Sequence, residues 1–175
     1  MKSSFVILLT VVFPLSGLFA AQSSGWGLDV HYDRFDDKTK VSTVPSKVGN
    51  ALGAKQEKQE LHLQATYECT GDTSRCRPGN IELRFLSRSV GEYTGSNQLS
   101  FIADGKRIQR SVKWTGEYEQ KVLTEHVTAT IKFEELLILA NAEKVEGRLG
   151  GTTFTFSDDN FAAIRAVACE ISPAS

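Results

Sequence analysis

Leu61-His62-Leu63-Gln64-Ala65-Thr66-Tyr67 alternates apolar and polar side chains without a break. Successive strand side chains point to opposite faces, so a period of two means one buried face and one wet face. Ile81-Glu82-Leu83-Arg84-Phe85 repeats the pattern, and so does Lys121 to Ile131, where Leu123, Val127, Ala129 and Ile131 share a side. Leu28 to Phe35 and Lys40 to Val48 read as two further strands around the polar turn Asp36-Asp37-Lys38-Thr39. Gln98 to Ala103 and Lys106 to Arg110 flank Asp104-Gly105, a pair that supplies the positive φ angles of a type I′ hairpin turn. Gly49 to Gln59, rich in glycine, lysine and glutamine, reads as an exposed connection.

Toward the C-terminus the rhythm changes. Phe133, Leu136, Leu137 and Ala140 recur at helical spacing. Lys144 to Leu149 and Thr152 to Phe156 flank Gly150-Gly151 as another hairpin. Ser157 stands as N-cap to a last helix whose first turn carries Asp158 and Asp159, with Phe161, Ile164, Ala168 and Ile171 as its buried stripe. The expected fold is therefore mainly β, antiparallel and β-sandwich-like, as one domain over residues 28–172, with two short C-terminal helices closing one edge or end.

Met1 to Ala21 has another grammar: Lys2 gives a positive end, Phe5 to Phe13 an apolar run, and Pro14 to Ala21 a small-residue exit. This is the pattern of a secretory signal peptide, with cleavage expected after Ala20 or Ala21 and a flexible lead-in over residues 22–27. The run falls short of the roughly 20 residues a membrane-spanning helix needs. A secreted or periplasmic protein without a transmembrane anchor is expected. Lys and Arg number 20 against 21 Asp and Glu, with both signs interspersed, so the chain lacks the electrostatic footprint of a nucleic-acid partner.

Three cysteines lie in the exported part. In an oxidising compartment Cys69 and Cys76, which bracket the turn-rich Thr70-Gly71-Asp72-Thr73-Ser74-Arg75, are expected to form a disulfide. The two other pairings use Cys169 and would tie the last helix to the sheet. Left free, Cys169 reads as a packed, inert thiol.

Phe133 to Phe156, F-E-E-L-L-I-L-A-N-A-E-K-V-E-G-R-L-G-G-T-T-F-T-F, together with L-S-F-I-A-D-G-K-R-I at residues 99–108, resembles a family of uncharacterised exported bacterial β-rich proteins. The order of short helix, hairpin and closing helix is similar to the C-terminal halves of secreted β-sandwiches of the invasion-associated locus B family. The chain departs from that family's cysteine arrangement, and the likeness assigns no functional residue.

Candidate chemistry is sparse. Asp29, His31 and Asp33 alternate, so they project from one strand face, and carboxylate and imidazole are ordinary ligands for divalent ions. At β spacing, such ligands are spread over about 6 Å or more and need help from elsewhere. The same trio also reads as a solvated face whose neighbours Leu28, Val30 and Tyr32 point inward. His62 and His126 fall on wet strand faces, and Glu125 points away from His126 because adjacent strand residues do. No G-x-S-x-G nucleophile elbow or strand-to-helix glycine cradle is present. Trp26, Trp114 and Tyr118 read as loop aromatics, either recognition anchors or rings folded back over the sheet. Two functional expectations follow. One is an exported non-enzymatic binding or structural module that contacts a protein or envelope component without a cofactor. The other is a small periplasmic hydrolase or metal-binding protein using Asp29, His31 and Asp33 with His62 or His126.

Overall fold

The computed structural model describes residues 27–53, 58, 60–89, 93–119 and 122–171. The expected leader, Trp26 and the rest of the lead-in before Gly27 lie outside them. In chain order the strands are β1 (Leu28–Asp33), β2 (Lys38–Thr43), β3 (Ser46–Lys47), β4 (Gly49–Leu52), β5 (Leu61–Thr70), β6 (Ile81–Ser89), β7 (Gln98–Ala103), β8 (Lys106–Glu119), β9 (Val122–Ile131), β10 (Val145–Leu149) and β11 (Thr152–Thr155). The helices are α1 (Phe133–Asn141) and α2 (Asp158–Ile171). The strands form one sheet in the order β1-β2-β5-β6-β9-β8-β7-β10-β11-β4, with β3 beside β5. Every pairing in it is antiparallel.

The sheet curls round on itself. In a flat sheet, five strand spacings would hold β6 and β11 about 24 Å apart, yet the Phe85 and Phe154 rings meet at 5.4 Å between centroids. Phe101 lies edge-on to Phe154 at 6.2 Å, so rings from β6, β7 and β11 fill one interior. Mainly antiparallel β with two C-terminal helices is what the chain forms. Within it β8 carries the ladder from one half to the other: residues 106–111 pair with β7 and residues 112–119 with β9.

β8 also corrects the reading of Trp114 and Tyr118 as loop residues, since both lie within this strand. Gly116, which reads as a loop signal, instead leaves room: a Cβ there would sit 2.7 Å from the Trp114 ring. The connection expected over Gly49 to Gln59 begins with a strand, β4, because Gly49 lets the backbone approach Thr155 where a Cβ would meet its hydroxyl at 2.9 Å. The strand expected over Lys40 to Val48 is split at Val44-Pro45, where proline has no N–H for the ladder.

The helices complete the core. Glu135 of α1 accepts the Lys132 backbone N–H at 3.0 Å, closing the first turn. Ser157 and Asn160 cap α2 reciprocally: Asn160 N donates to Ser157 Oγ at 3.3 Å and Ser157 N to Asn160 Oδ1 at 2.9 Å. Leu136, Leu139, Ile164, Val167 and Ile171 are buried in the same cluster as the phenylalanines. Cys69 and Cys76 form the expected disulfide, with Cα atoms 5.8 Å apart. Its loop docks on α2, where Ser74 Oγ donates to Glu170 at 2.6 Å. Tyr67 donates to Ser74 O at 2.8 Å beneath the loop, and burial with the Glu170 carboxylate pushes its phenol well above the usual range. Cys169, expected among packed side chains, is exposed, because it lies off the stripe of Ile164, Ala168 and Ile171.

Candidate functional site

The outward face of β7, β8, β10, β11 and β4 carries a cleft of about 440 Å³. Its residues follow from alternation: Leu99, Phe101 and Ala103 of β7 enter the core, which turns Gln98, Ser100 and Ile102 outward. Register then sets two cross-strand rows. Gln109, Ser100, Arg148 and Thr153 form one, while Arg107, Ile102, Glu146 and Thr155 form the other. A second depression of about 480 Å³, bounded by Thr94 to Asn97 and Gly150-Gly151, shares Gln98, Ser100 and Arg148 with the first.

The floor is made by a missing side chain. Gly147 faces Phe154 in register, and a Cβ at Gly147 would fall 2.2 Å from the Phe154 ring. Absence of that Cβ lets the ring sink into the core beneath the cleft. Arg75, Arg77, Arg84 and Arg110 each meet a carboxylate. Arg107 and Arg148 meet none among the described residues, and Glu146, the carboxylate between them, is taken by Lys144 at 2.9 Å. The cleft thus presents two guanidinium groups outside any ion pair among the described residues, beside the one carboxylate of Glu146, within a field of amides and hydroxyls.

Comparison with family models, with curated proteins and with solved structures finds no match to this chain. What the cleft can take follows from its own chemistry. Guanidinium groups recognise carboxylate, phosphate or sulfate by paired, charge-assisted hydrogen bonds. Gln98, Gln109, Asn50, Ser100 and Thr153 offer both donors and acceptors, which suits a ligand rich in hydroxyls.

A buried carboxylate holds one rim. Glu125 on β9 is 0% exposed and accepts from Trp114 Nε1 at 2.9 Å and from Tyr93 N at 3.0 Å. The Tyr93 carbonyl accepts in turn from Ser96 N at 2.9 Å, fixing the turn whose residues bound the second depression. Asp104 secures the other end: its carboxylate accepts from Glu143 N and Lys144 N at 2.9 Å each, joining the β7–β8 turn to the start of β10. Those two donors hold the Asp104 carboxyl below the usual carboxylate range.

The other predicted site residues are not gathered here. Asp29, His31 and Asp33 do share one face of β1, opposite Ser42, Lys40 and Lys38. Val30 and Tyr32, expected to point into the core, are 51% and 37% exposed, because β1 is the edge strand and the interior ends at β2. Tyr32 donates to Asp37 at 2.9 Å, and that bond holds its phenol above the ordinary range. Asp33 accepts from Phe35 N at 2.8 Å and serves the turn. His62 and His126 fall in one cross-strand row with Leu86 between them, away from the β1 trio. Among the described residues, no group of three or more histidine, cysteine or acidic side chains is placed to hold a metal ion. Trp114 folds over the sheet onto Glu125, whereas Tyr118 is 75% exposed at the far end of β8.

Glu125 was legible by parity, since it shares the side of Leu123, Val127, Ala129 and Ile131 in β9 and so must face the core. The cleft carries no local signal. Its rows exist only because β7 pairs with β10, and nothing within either strand specifies that pairing.

Proposed function

We propose that the chain is an exported, non-enzymatic binding module whose cleft over β7, β8, β10 and β11 takes an anionic, hydroxyl-rich ligand, such as an acidic oligosaccharide segment of a cell envelope. The observation that carries this reading is the pair Arg107 and Arg148, outside any ion pair among the described residues and outnumbering the single carboxylate, Glu146, in a polar cleft of about 440 Å³. Export rests on the pattern of residues 1–21 and is in keeping with the Cys69–Cys76 disulfide. Among the described residues no helix is long and apolar enough to cross a membrane. The scaffold suits binding, because functional side chains stand on paired strands rather than on loops and lose little freedom when a ligand arrives.

Calorimetric titration with acidic and neutral oligosaccharides of equal length tests the reading. Acidic chains should bind and neutral ones should not, with affinity falling as salt rises. Arg148→Gln, which removes charge-assisted hydrogen bonds, should weaken binding about tenfold or more. Equal affinity for neutral chains, or indifference to Arg148→Gln, would reject it.

A further inference from the structure

Among the described residues the outer edge of β1 has no strand beside it, and a second copy of this chain fits it as partner. A two-fold axis permits only registers in which residues of the same parity face each other, so the strand can be tested register by register. Centring the axis on Val30 sets Val30 against Val30, Leu28 against Tyr32, and Asp29 against His31, all from the single sequence Leu28-Asp29-Val30-His31-Tyr32-Asp33. Apolar side chains then meet on one face and carboxylate meets imidazole on the other. Centring on Asp29 opposes two Asp29 carboxylates, and centring on His31 opposes Asp29 to Asp33 twice; like charges directly opposite are unfavourable in a ladder. Centring on Tyr32 runs the pairing into Arg34 and Phe35, which lie in the turn beyond the strand.

We infer that two copies associate through β1 in antiparallel register about Val30, continuing the sheet from one copy into the other. Two further features fit. β1 has neither lysine nor proline, the residues that most often guard an edge. Its Val30 and Tyr32 are left 51% and 37% exposed beside the already filled interior. Pairing over so short a strand falls below the about 1,200 Å² of a standard stable interface, so the dimer is weak and exchanges rapidly. This inference is independent of the cleft, which lies at the opposite end of the strand order.

Sedimentation velocity of the full chain over a wide concentration range gives the first reading. Its mean mass should climb toward twice the monomer's, Val30→Lys and His31→Asp should each remain monomeric, and Asp29→Lys combined with His31→Asp should recover association. Oxidation with diamide reads the register. In a Cys169→Ser background, which removes the one free thiol, Val30→Cys should cross-link two copies into a covalent dimer. Tyr32→Cys should not, because its two thiols would be offset by about 13 Å along the strands. A chain that stays monomeric at millimolar concentration, an association that survives Val30→Lys, or cross-linking through Tyr32→Cys instead would each overturn the proposal. So would β1 pairing only with an extended segment of another protein.

Discussion

At the scale of single residues, Glu125 shows what a buried carboxylate does in a β core. It is fully enclosed, and its hydrogen bonds from Trp114 Nε1 and Tyr93 N tie β8 and the Tyr93 turn to β9. Glu125→Ala leaves the buried Tyr93 N–H without that acceptor, at a cost of about 1–3 kcal/mol for a buried unsatisfied group, and frees the half-buried Trp114 Nε1–H as well. Urea unfolding should show the loss, and the Trp114 fluorescence should change with it. Asp104 works at the surface. Its folded carboxyl is held below the ordinary range, so its stabilisation is present above the unfolded pKa of about 3.9 and disappears as pH falls through the folded value. Asp104→Asn keeps a residue that tolerates the positive φ of 45° at this position but removes the charge. The gap in denaturation midpoint between the native chain and this variant should be widest near neutrality and close below pH 4.

At the scale of elements, glycine separates what could be read in the sequence from what could not. The turn at Asp104-Gly105 is legible because it demands backbone angles that few residues adopt, and the pair forms the hairpin as expected, with φ of 45° and 83°. Gly116, Gly49 and Gly147 answer to space instead. The first two suggest loops in a sequence, but they make room inside strands for Trp114 and for Thr155. Alternation recovered β5, β6 and β9 because half-buried strands write their burial into every second residue. It found β1 as a strand too, but placed Val30 and Tyr32 inward, whereas the strand's position at the edge leaves them no interior to face. Gly147→Ala tests the space argument. Forcing a methyl against the Phe154 ring should cost about 1–3 kcal/mol as an overpacked core, read as a lowered melting temperature, and should disturb the cleft above it without touching Arg107 or Arg148.

At the scale of the whole molecule, the curled sheet divides the labour. One face and two helices make a single core around Phe85, Phe101 and Phe154, and the opposite face of the β7-to-β4 half is freed to carry polar side chains in register. The cleft was invisible to sequence reading because it joins residues from Asn50 to Thr155, and only the completed strand order makes them neighbours. An isotope-labelled chain titrated with an acidic oligosaccharide, followed by amide chemical shifts, tests this account most directly. Binding in the cleft predicts shifts concentrated at Gln98 to Ile102, Arg107 to Gln109, Glu146 to Arg148 and Thr153 to Thr155, while β1 and β5 stay unchanged. A spectrum without shifts, or one whose shifts fall on the β1, β2 and β5 end of the sheet, would contradict it.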